Sequence, residues 1–371
     1  MYKKIILLII IFFTFSVSFA SDNVKIGLEY NKEINEAIIT SSQNFYVNIN
    51  DDKLIDLDKN ILKIYKNNEF YLKINQKFDR LEDALIILDS LNKKGQTCFL
   101  FYDNSWEIYT GNYNSIDEAK AHNNNNFDIV LPNSKNIIVK NSDNKIIFSY
   151  NSESDISFTS GEIIEFGSKY FRGSFMFKRC KESDFTIINK LPIEEYLYGV
   201  ISKEMPANWP IEALKAQAIA ARNFTVSNLG KYSDLGFDLT DDINSQVYGG
   251  YDAESEKIKL AVDETFNMLL RSNSNNNIVS AYYHSNSGGQ TESIENVWQT
   301  QVPYLVGVKD EYSENVQNSN WSKKYTLHEI SNKLNEAGYD VGEIYDVEMA
   351  SVSQNYRILE IIFKGSKNNI I

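Results

Sequence analysis

Apolar residues recur at helical spacing in the stretch LPIEEYLYGVISKEMPANWPIEALKAQAIAARNF, residues 191–224. Pro192 suits the first position of a helix, where its missing N–H is not needed. The residues at i, i+4, i+7 and i+11, counted from the next position, are Ile193, Leu197, Val200 and Glu204. They share one helix face, and Met205-Pro206 then stops the helix. The pattern predicts a helix that ends with a carboxyl on its core-facing stripe.

Glu204 is the candidate catalytic residue of this helix. A carboxyl on an apolar stripe loses hydration and keeps its proton more readily, which is what a general acid needs near neutral pH. Two structural alternatives stay open. The side chain could turn outward at a frayed helix end, or it could pair with Arg222 or with a lysine.

A second helix follows directly. Asn208 or Trp209 can start it, and it is rich in alanine over positions 213–221. Small side chains at this density predict close packing against another backbone. Gln217 and Arg222 are its polar exceptions, and each could face a cleft or the solvent.

Residues 277–284, NIVSAYYH, are mostly β-branched or aromatic, which predicts a strand ending in the loop at 285–289. The glycine pair of this loop, Gly288 and Gly289, lets backbone approach a ligand and leaves amides free to bind it. A plain tight turn explains the pair equally well. Other side chains here that could line a cleft are Tyr283, His284, Ser285, Ser287 and Trp298. The two aromatic residues among them could instead belong to the core, and the histidine could be a structural hydrogen-bonding residue.

Residues 69–125 have a pattern of their own. EFYLKIN alternates as a strand, RLEDALIILDSLNKKG has the spacing of an amphipathic helix, and TCFLFYD and SWEIYTGNY predict two strands. A second helix begins in NSIDEAKAH. This β-α-β-β-α order looks inserted, because strand-like segments lie on both sides of it. Near the other end of the chain, Thr326 and Glu329 have capping-box spacing for a helix, and IYDVEMASV and YRILEIIFKG predict a hairpin.

The helix pair resembles the SpoIID/LytB family, which contains stage II sporulation protein D and the modifier proteins of wall autolysins. EMP followed by the alanine-rich helix, and YYHSNSGG, are specific when they occur in this order. Further matches are FDLTDDINSQVYGGY at 237–251, VWQTQVPYLVGVKDEYSE at 297–314 and WSKKYTL at 321–327. The likeness covers about 160–330 of the chain.

The resemblance implies a lytic transglycosylase of peptidoglycan with Glu204 as its catalytic residue. Hydrolytic glycosidases usually need two carboxyl groups. A lytic transglycosylase needs one, because the C6 hydroxyl of the muramic acid attacks its own C1. The resemblance also favours a substrate-binding role for the loop at 285–289 and for the cleft candidates around it. The rival hypothesis is a non-catalytic glycan-binding protein that stimulates a wall amidase.

The inserted segment carries W-x-x-x-x-G-x-Y at Trp106, Gly111 and Tyr113. In this it is similar to a SPOR domain, a module that binds glycan strands stripped of their stem peptides. The alternative is an ordinary α+β insertion in which Trp106 and Tyr113 belong to the core.

One segment departs from the family pattern. Sporulation protein D members often carry a Cys…His-Cys cluster where this chain has DLTDDINSQVY, and some of them bind zinc there. Thr240, Asn244 and Ser245 occupy those places here, so the soft thiolate and imidazole ligands are missing. We expect no zinc site and no cofactor.

The first twenty residues predict export. A charged start, a short apolar stretch and Ser18-Phe19-Ala20 have the features of a cleaved signal peptide, although an uncleaved membrane anchor stays open. The net charge of −13 argues against nucleic acid or an anionic membrane as the main partner, whereas an uncharged glycan would not be repelled. Two cysteines, Cys98 and Cys180, do not form a disulfide framework.

Together these patterns predict an α+β protein, secreted to the cell wall, that acts on peptidoglycan glycan strands and has a wall amidase as a further candidate partner. The expected organisation is a signal peptide at 1–20, N-terminal strands at 21–68, a SPOR-like insertion at 69–125 and the SpoIID/LytB catalytic domain at 126–371. Sporulation and vegetative wall remodelling both stay open as its setting.

Overall fold

The computed structural model describes residues 23–123, 127–313 and 321–371. The chain divides into two compact units, and the boundary lies between Leu270 and Arg271. The predicted signal peptide lies outside the described residues. Within the described part of the chain, helices are too short or too polar to cross a membrane. Mixed sheets and helices in this chain confirm the predicted α+β class.

A seven-stranded sheet in the first unit leads into the helix that carries Glu204. Its strands in spatial order are β17 (Leu239–Thr240), β1 (Asn23–Glu29), β16 (Ser183–Pro192), β15 (Ser174–Cys180), β12 (Ile156–Thr159), β3 (Tyr46–Ile49) and β4 (Asp52–Asp56). Strand β16 pairs antiparallel with β1 and with β15. Its residues 185–191 are all buried, as expected of a strand between two neighbours. The start of the following helix is therefore held by the sheet.

A second sheet of ten strands lies in the same unit. Its spatial order is β14 (Lys169–Phe171), β13 (Ile164–Phe166), β2 (Glu36–Ser41), β5 (Ile61–Lys66), β10 (Asn136–Lys140), β11 (Ile146–Asn151), β7 (Cys98–Tyr102), β8 (Trp106–Tyr113), β6 (Phe70–Lys73) and β9 (Asp128–Val130). The helices of the first unit are α1 (Leu81–Lys93), α2 (Ile116–His122), α3 (Ile193–Glu204), α4 (Ile211–Ser227) and α5 (Glu256–Asp263). Helices α3, α4 and α5 pack against one another.

The helix pair agrees closely with its sequence pattern. Helix α3 begins directly after Pro192 and ends at Glu204, because Met205 is extended and Pro206 follows it. The predicted start of α4 at Asn208 or Trp209 is wrong. Its first residue is Ile211, after Pro210 in extended backbone. The residue before a proline is disfavoured in helical backbone, which keeps Trp209 out of the helix.

The segment predicted at 69–125 contains β6, α1, β7, β8 and α2 in the expected order. Trp106 is buried, and Gly111 has a φ of +78° with the Tyr113 ring over it. A Cβ at position 111 would lie 2.3 Å from that ring. Local packing therefore explains the W-x-x-x-x-G-x-Y motif, and the SPOR resemblance stays a prediction.

This segment does not pack by itself. Strand β7 pairs in parallel with β11. The aromatic cluster of the segment, Tyr71, Phe99, Phe101 and Tyr109, is closed by Ile138 of β10. The chain before the segment also contacts the chain that follows β9, because the Asn67 amide donates to the Asn136 carbonyl at 3.0 Å. The Arg179 guanidinium donates to the carbonyls of Asn67 and Asn136 as well, at 3.3 and 3.2 Å.

The second unit contains α6 (Glu295–Trp298), α7 (Leu327–Glu336) and a sheet of β18 (Ile344–Val352), β19 (Ile358–Gly365) and β20 (Asn369–Ile370). The predicted capping box of Thr326 and Glu329 is confirmed, and so is the hairpin of β18 and β19. The strand predicted over 277–284 is wrong, since this stretch contributes one isolated bridge, between Arg271 and Ile278. Strand propensity needs a partner edge to take effect.

Candidate active site

Glu204 is the last residue of α3, and its side chain is exposed. The expectation that it is buried is wrong. The stripe residues before it are buried, whereas Lys203 and Glu204 in the last turn of α3 are exposed, which is the outward orientation that the sequence left open. One carboxylate oxygen, Oε1, accepts a hydrogen bond from the backbone amide of Val247 at 3.4 Å. The site is therefore an exposed carboxylate held from one side by main chain.

Arg222 is 2% exposed and does not pair with Glu204. Its Nε and Nη2 donate to the two carboxylate oxygens of Glu194, at 2.8 and 2.6 Å. Nη1 donates to the Met268 carbonyl at 3.3 Å. Because the guanidinium is used inside the protein, the expectation that Arg222 contacts the substrate is not met. It holds α3, α4 and the end of the first unit together.

Gln217 lies on α4 and is partly buried. Its Nε2 is shielded from solvent and has no hydrogen-bond partner among the described residues. Buried amide groups nearly always have a partner, so this donor is suited to a ligand oxygen or a water. Of the polar residues predicted on α4, Gln217 keeps its candidate role.

The loop 240–249 follows β17 and supplies the Val247 amide. Thr240 and Asn244 donate through Oγ1 and Nδ2 to the carboxylate of Asp242, at 2.8 and 3.0 Å. Ser245 accepts from the Thr240 amide at 3.1 Å. Burial by itself would raise the pKa of Asp242, but the hydrogen bonds from Asn244 and Thr240 hold it below its usual range.

Thr240, Asn244 and Ser245, which the sequence analysis placed at the expected zinc-ligand positions, form hydrogen bonds here with one another and with Asp242. In the described part of the chain, no three His, Cys, Asp or Glu residues are grouped as a metal site would require. The prediction that this protein contains no zinc awaits measurement. Both cysteines, Cys98 and Cys180, are free thiols.

Sequence reasoning missed three residues of the first unit. Gln246 and Val247 were noted only as letters of the matched motif FDLTDDINSQVYGGY, and a hydrogen-bonding role for either would have required the fold. Glu195 is a second half-buried carboxyl on α3. Burial raises its pKa, Arg172 lowers it, and Glu254 raises it further.

The glycine loop lies in the second unit and satisfies its own amides. The Gly288 amide donates to Oδ1 of Asn286 at 2.6 Å, and the Gly289 amide donates to Oγ of Ser313 at 2.7 Å. Ser287 is 4% exposed and donates to Asp310 at 2.6 Å. The φ angles of the two glycines, +67° and +100°, are those of a tight turn. The amides are therefore not free for a ligand, and the turn explanation fits this loop.

The remaining candidates of the second unit lie nearer the surface. His284 and Ser285 are exposed, and Tyr283 is partly buried. Trp298 is 55% exposed, and its ring centroid lies 4.7 Å from that of Tyr282, which is 47% exposed. The ring contact of Trp298 is thus with Tyr282, a residue that sequence reasoning did not select.

Comparison with known proteins matches residues 181–271 to the family model described as stage II sporulation protein, SpoIID. Helices α3, α4 and α5 and the loop 240–249 all lie in this match. Stage II sporulation protein D of Bacillus subtilis is 35% identical over 162 residues, which are 40% of this chain and 47% of that protein. These matches identify a domain of the SpoIID/LytB family in this chain.

Two further relatives bear on this SpoIID/LytB domain. The amidase enhancer of Bacillus subtilis is 42% identical over 114 residues, 31% of this chain and 15% of that protein. An uncharacterised protein of Brachyspira hyodysenteriae is 36% identical over 177 residues, 47% of this chain and 46% of that protein. The chain spans about half the length of these curated relatives, or less.

Proposed function

We propose that this protein cleaves peptidoglycan glycan strands as a lytic transglycosylase, with Glu204 as its acid and base. The observation that carries the proposal is the setting of Glu204. Its carboxylate stands exposed at the tip of α3, one oxygen is held by the Val247 amide, and the whole arrangement lies in the segment that matches the SpoIID family.

The reaction needs one carboxyl group, which acts first as an acid and then as a base. Glu204 donates its proton to the glycosidic oxygen between the muramic acid and the glucosamine, and the bond from that oxygen to C1 breaks. The C6 hydroxyl oxygen of the same muramic acid then bonds to C1 and loses its proton to Glu204. The products are a 1,6-anhydro sugar end and a free C4 hydroxyl, and the carboxyl is protonated again. No water is consumed, so no second carboxylate has to activate one.

A carboxylate with one oxygen held by a hydrogen bond suits this use as both acid and base. The Val247 amide occupies Oε1 of Glu204 and leaves Oε2 to carry the proton toward the substrate. An amide donor also restricts rotation of the carboxylate, which keeps the proton aimed in one direction. Gln217 on α4 is a further candidate contact for the substrate, because its buried Nε2 has no partner among the described residues.

The second unit offers an aromatic contact for sugar rings. Tyr282 and Trp298 form an exposed pair with their rings inclined at 55°. Exposed aromatic faces bind the apolar faces of sugars while their edges stay solvated. We propose this pair, together with Tyr283, His284 and Ser285, as the glycan contact of the second unit. Secretion to the wall and a preference for strands without stem peptides belong to the same proposal.

A second candidate function is stimulation of a wall amidase without cleavage. The specific observation in its favour is the 42% identity with the protein named amidase enhancer. A glycan-binding surface serves both functions, and the chemistry of Glu204 serves only the first.

The two candidates are separated by incubating denuded glycan strands with the purified protein and with Glu204→Gln. After borohydride reduction, mass spectrometry should show 1,6-anhydro ends about 20 Da lighter than reduced hydrolysis products, the mass of the water and hydrogen that ring closure leaves out. The same proteins are added to intact walls with a purified amidase. Stimulation of the amidase with no anhydro product would establish the second function and overturn the first.

A further inference from the structure

The amide that contacts Glu204 belongs to the peptide bond between Gln246 and Val247. The direction of this N–H is therefore set by whatever holds Gln246 and its neighbours in place. On the C-terminal side, Tyr248 is buried and donates to Oδ1 of Asn189 at 3.1 Å. This contact ties the loop 240–249 to β16, the strand that precedes α3.

Gln246 ties the same loop to both helices of the site. Its Oε1 accepts hydrogen bonds from Oγ1 of Thr225 on α4 at 2.9 Å and from the Tyr196 hydroxyl on α3 at 3.4 Å. Its Nε2 donates to the Ala221 carbonyl of α4 at 3.4 Å. The side chain is 1% exposed, so the whole amide group lies between the helices.

A buried amide needs all its partners to offset its lost hydration, and an apolar side chain of similar size would fill the same space at less cost. The hydrogen bonds of the amide fix the position of the side chain. An apolar residue could slide between two helices, whereas hydrogen bonds in three directions allow one placement. Gln246 therefore couples the first turn of α3 and the last turns of α4 to the peptide that faces Glu204.

We infer that Gln246 is a positioning residue, which holds the Val247 amide on the Glu204 carboxylate and so orients the acid. It does not touch the substrate. The catalytic part of this inference rests on the proposed function. The structural part, that Gln246 decides whether the Val247 amide reaches Glu204, does not.

The structural part is tested by NMR on full-length protein labelled with ¹⁵N-valine, in which the Val247 amide is assigned by its loss in Val247→Ile. In the otherwise unchanged protein, Glu204→Gln should shift the Val247 amide proton, because its acceptor changes from a carboxylate to an amide. In the Gln246→Met background the same substitution should leave this proton unmoved. If Glu204→Gln shifts it equally in both backgrounds, the inference is overturned.

Asn223→Leu is the matched control. Asn223 is also a buried amide of α4, but it exchanges hydrogen bonds with the backbone of Leu270, at 2.8 Å in both directions. In this background the effect of Glu204→Gln on Val247 should persist. Should Gln246→Met fail to fold, Thr225→Val removes the hydroxyl that contacts Gln246 and the Ala221 carbonyl of its own helix, both at 2.9 Å, and it should reduce the effect. An undiminished effect in folded Thr225→Val would overturn the inference.

Kinetics on denuded glycan strands test the catalytic part. Gln246→Met should lower kcat about tenfold or more, because a slightly misplaced catalytic group is costly, with little change in KM. A KM increase with kcat intact would assign Gln246 to substrate binding and overturn its positioning role. If the unsubstituted protein yields no anhydro product while the NMR result holds, the proposed function fails and the structural inference stands.

Discussion

The guanidinium of Arg222 forms two hydrogen bonds with the carboxylate of Glu194, at 2.8 and 2.6 Å, inside the first unit. Glu194 lies in the first turn of α3, and Arg222 lies in α4. Arg222 also reaches the carbonyls of Met268 and Val262, at 3.3 and 3.4 Å. The ion pair therefore fixes the two helices against each other at the end of α3 that is opposite Glu204.

Breaking this pair should destabilise the protein severely. Glu194→Leu leaves the Arg222 charge buried without its partner, which typically lowers the free energy of unfolding by about 3–5 kcal/mol. Urea denaturation of the full chain measures the loss. Glu212→Leu is the matched control, because Glu212 pairs with Lys215 on the exposed side of α4 and should change stability far less. Equal losses in the two variants would contradict the structural role of Arg222.

Glu204→Gln should remove cleavage and leave the fold intact. The side chain is exposed and makes one weak hydrogen bond, so stability should change by less than about 0.5 kcal/mol. The amide can neither donate nor accept the reacting proton, and acid–base catalysis typically contributes about 10²–10⁴-fold. Release of anhydro ends should fall by at least that factor, while Glu212→Gln cleaves normally. Unchanged cleavage would mean that another acid acts, and Glu195 on the same helix would be the next to substitute.

Removing the aromatic pair should weaken glycan binding. An aromatic contact contributes about 0.5–1.5 kcal/mol, so Trp298→Ala and Tyr282→Ala should each weaken the affinity for denuded strands by about two- to tenfold. Pull-down with denuded strands measures the effect. Tyr312→Ala is the control, since Tyr312 is a fully exposed aromatic side chain of the same unit. Normal affinity in both pair variants would exclude the pair as a glycan contact.

The purified protein should contain no stoichiometric zinc. Thr240, Asn244 and Ser245 offer hydroxyl and amide groups, which bind zinc poorly, and these groups already bind Asp242 and one another. Elemental analysis after dialysis against a chelator measures the content. About one zinc retained per chain would refute this prediction.

Excision of residues 68–135, which include the inserted segment 69–125 and β9, should cost glycan affinity and some stability, with the remaining unit still folded. Residues 66 and 137 are neighbours across β5 and β10, so replacing 68–135 with an Asn-Gly turn converts these strands into a hairpin. Stability should fall because Ile138 loses its aromatic neighbours and β11 loses its partner β7.

Cooperative unfolding and pull-down with denuded strands together decide the outcome. Cooperative unfolding with lost pull-down would support the SPOR-like role of the segment. Unchanged pull-down would exclude that role, and loss of cooperative unfolding would show that the segment is integral to the first unit.

Features set by neighbours along the chain were predictable from sequence. Helix α3 ends at Glu204 because Met205-Pro206 cannot continue it, and Thr326 caps α7 through contacts within one turn. The β18–β19 hairpin and the element order from β6 to α2 follow from alternation and turn residues. The motif order that resembles SpoIID/LytB was also visible in the chain itself, and the family comparison supports it.

The tertiary structure decided which groups are buried and what they bind. The periodicity of α3 placed Glu204 on a buried stripe. The sequence of that helix does not show which of its residues other segments of the chain cover. Arg222 binds Glu194, and the glycine amides bind Asn286 and Ser313, because folding brings those acceptors close. The residues at 277–284 form an isolated bridge at Ile278 and not the predicted strand, and their propensity could not show this. Sequence by itself determined where α3 ends, how α7 is capped and which family the motif indicates. The fold alone decided that Glu204 is exposed and meets the Val247 amide, since burial and long-range hydrogen bonds depend on segments far apart in the chain.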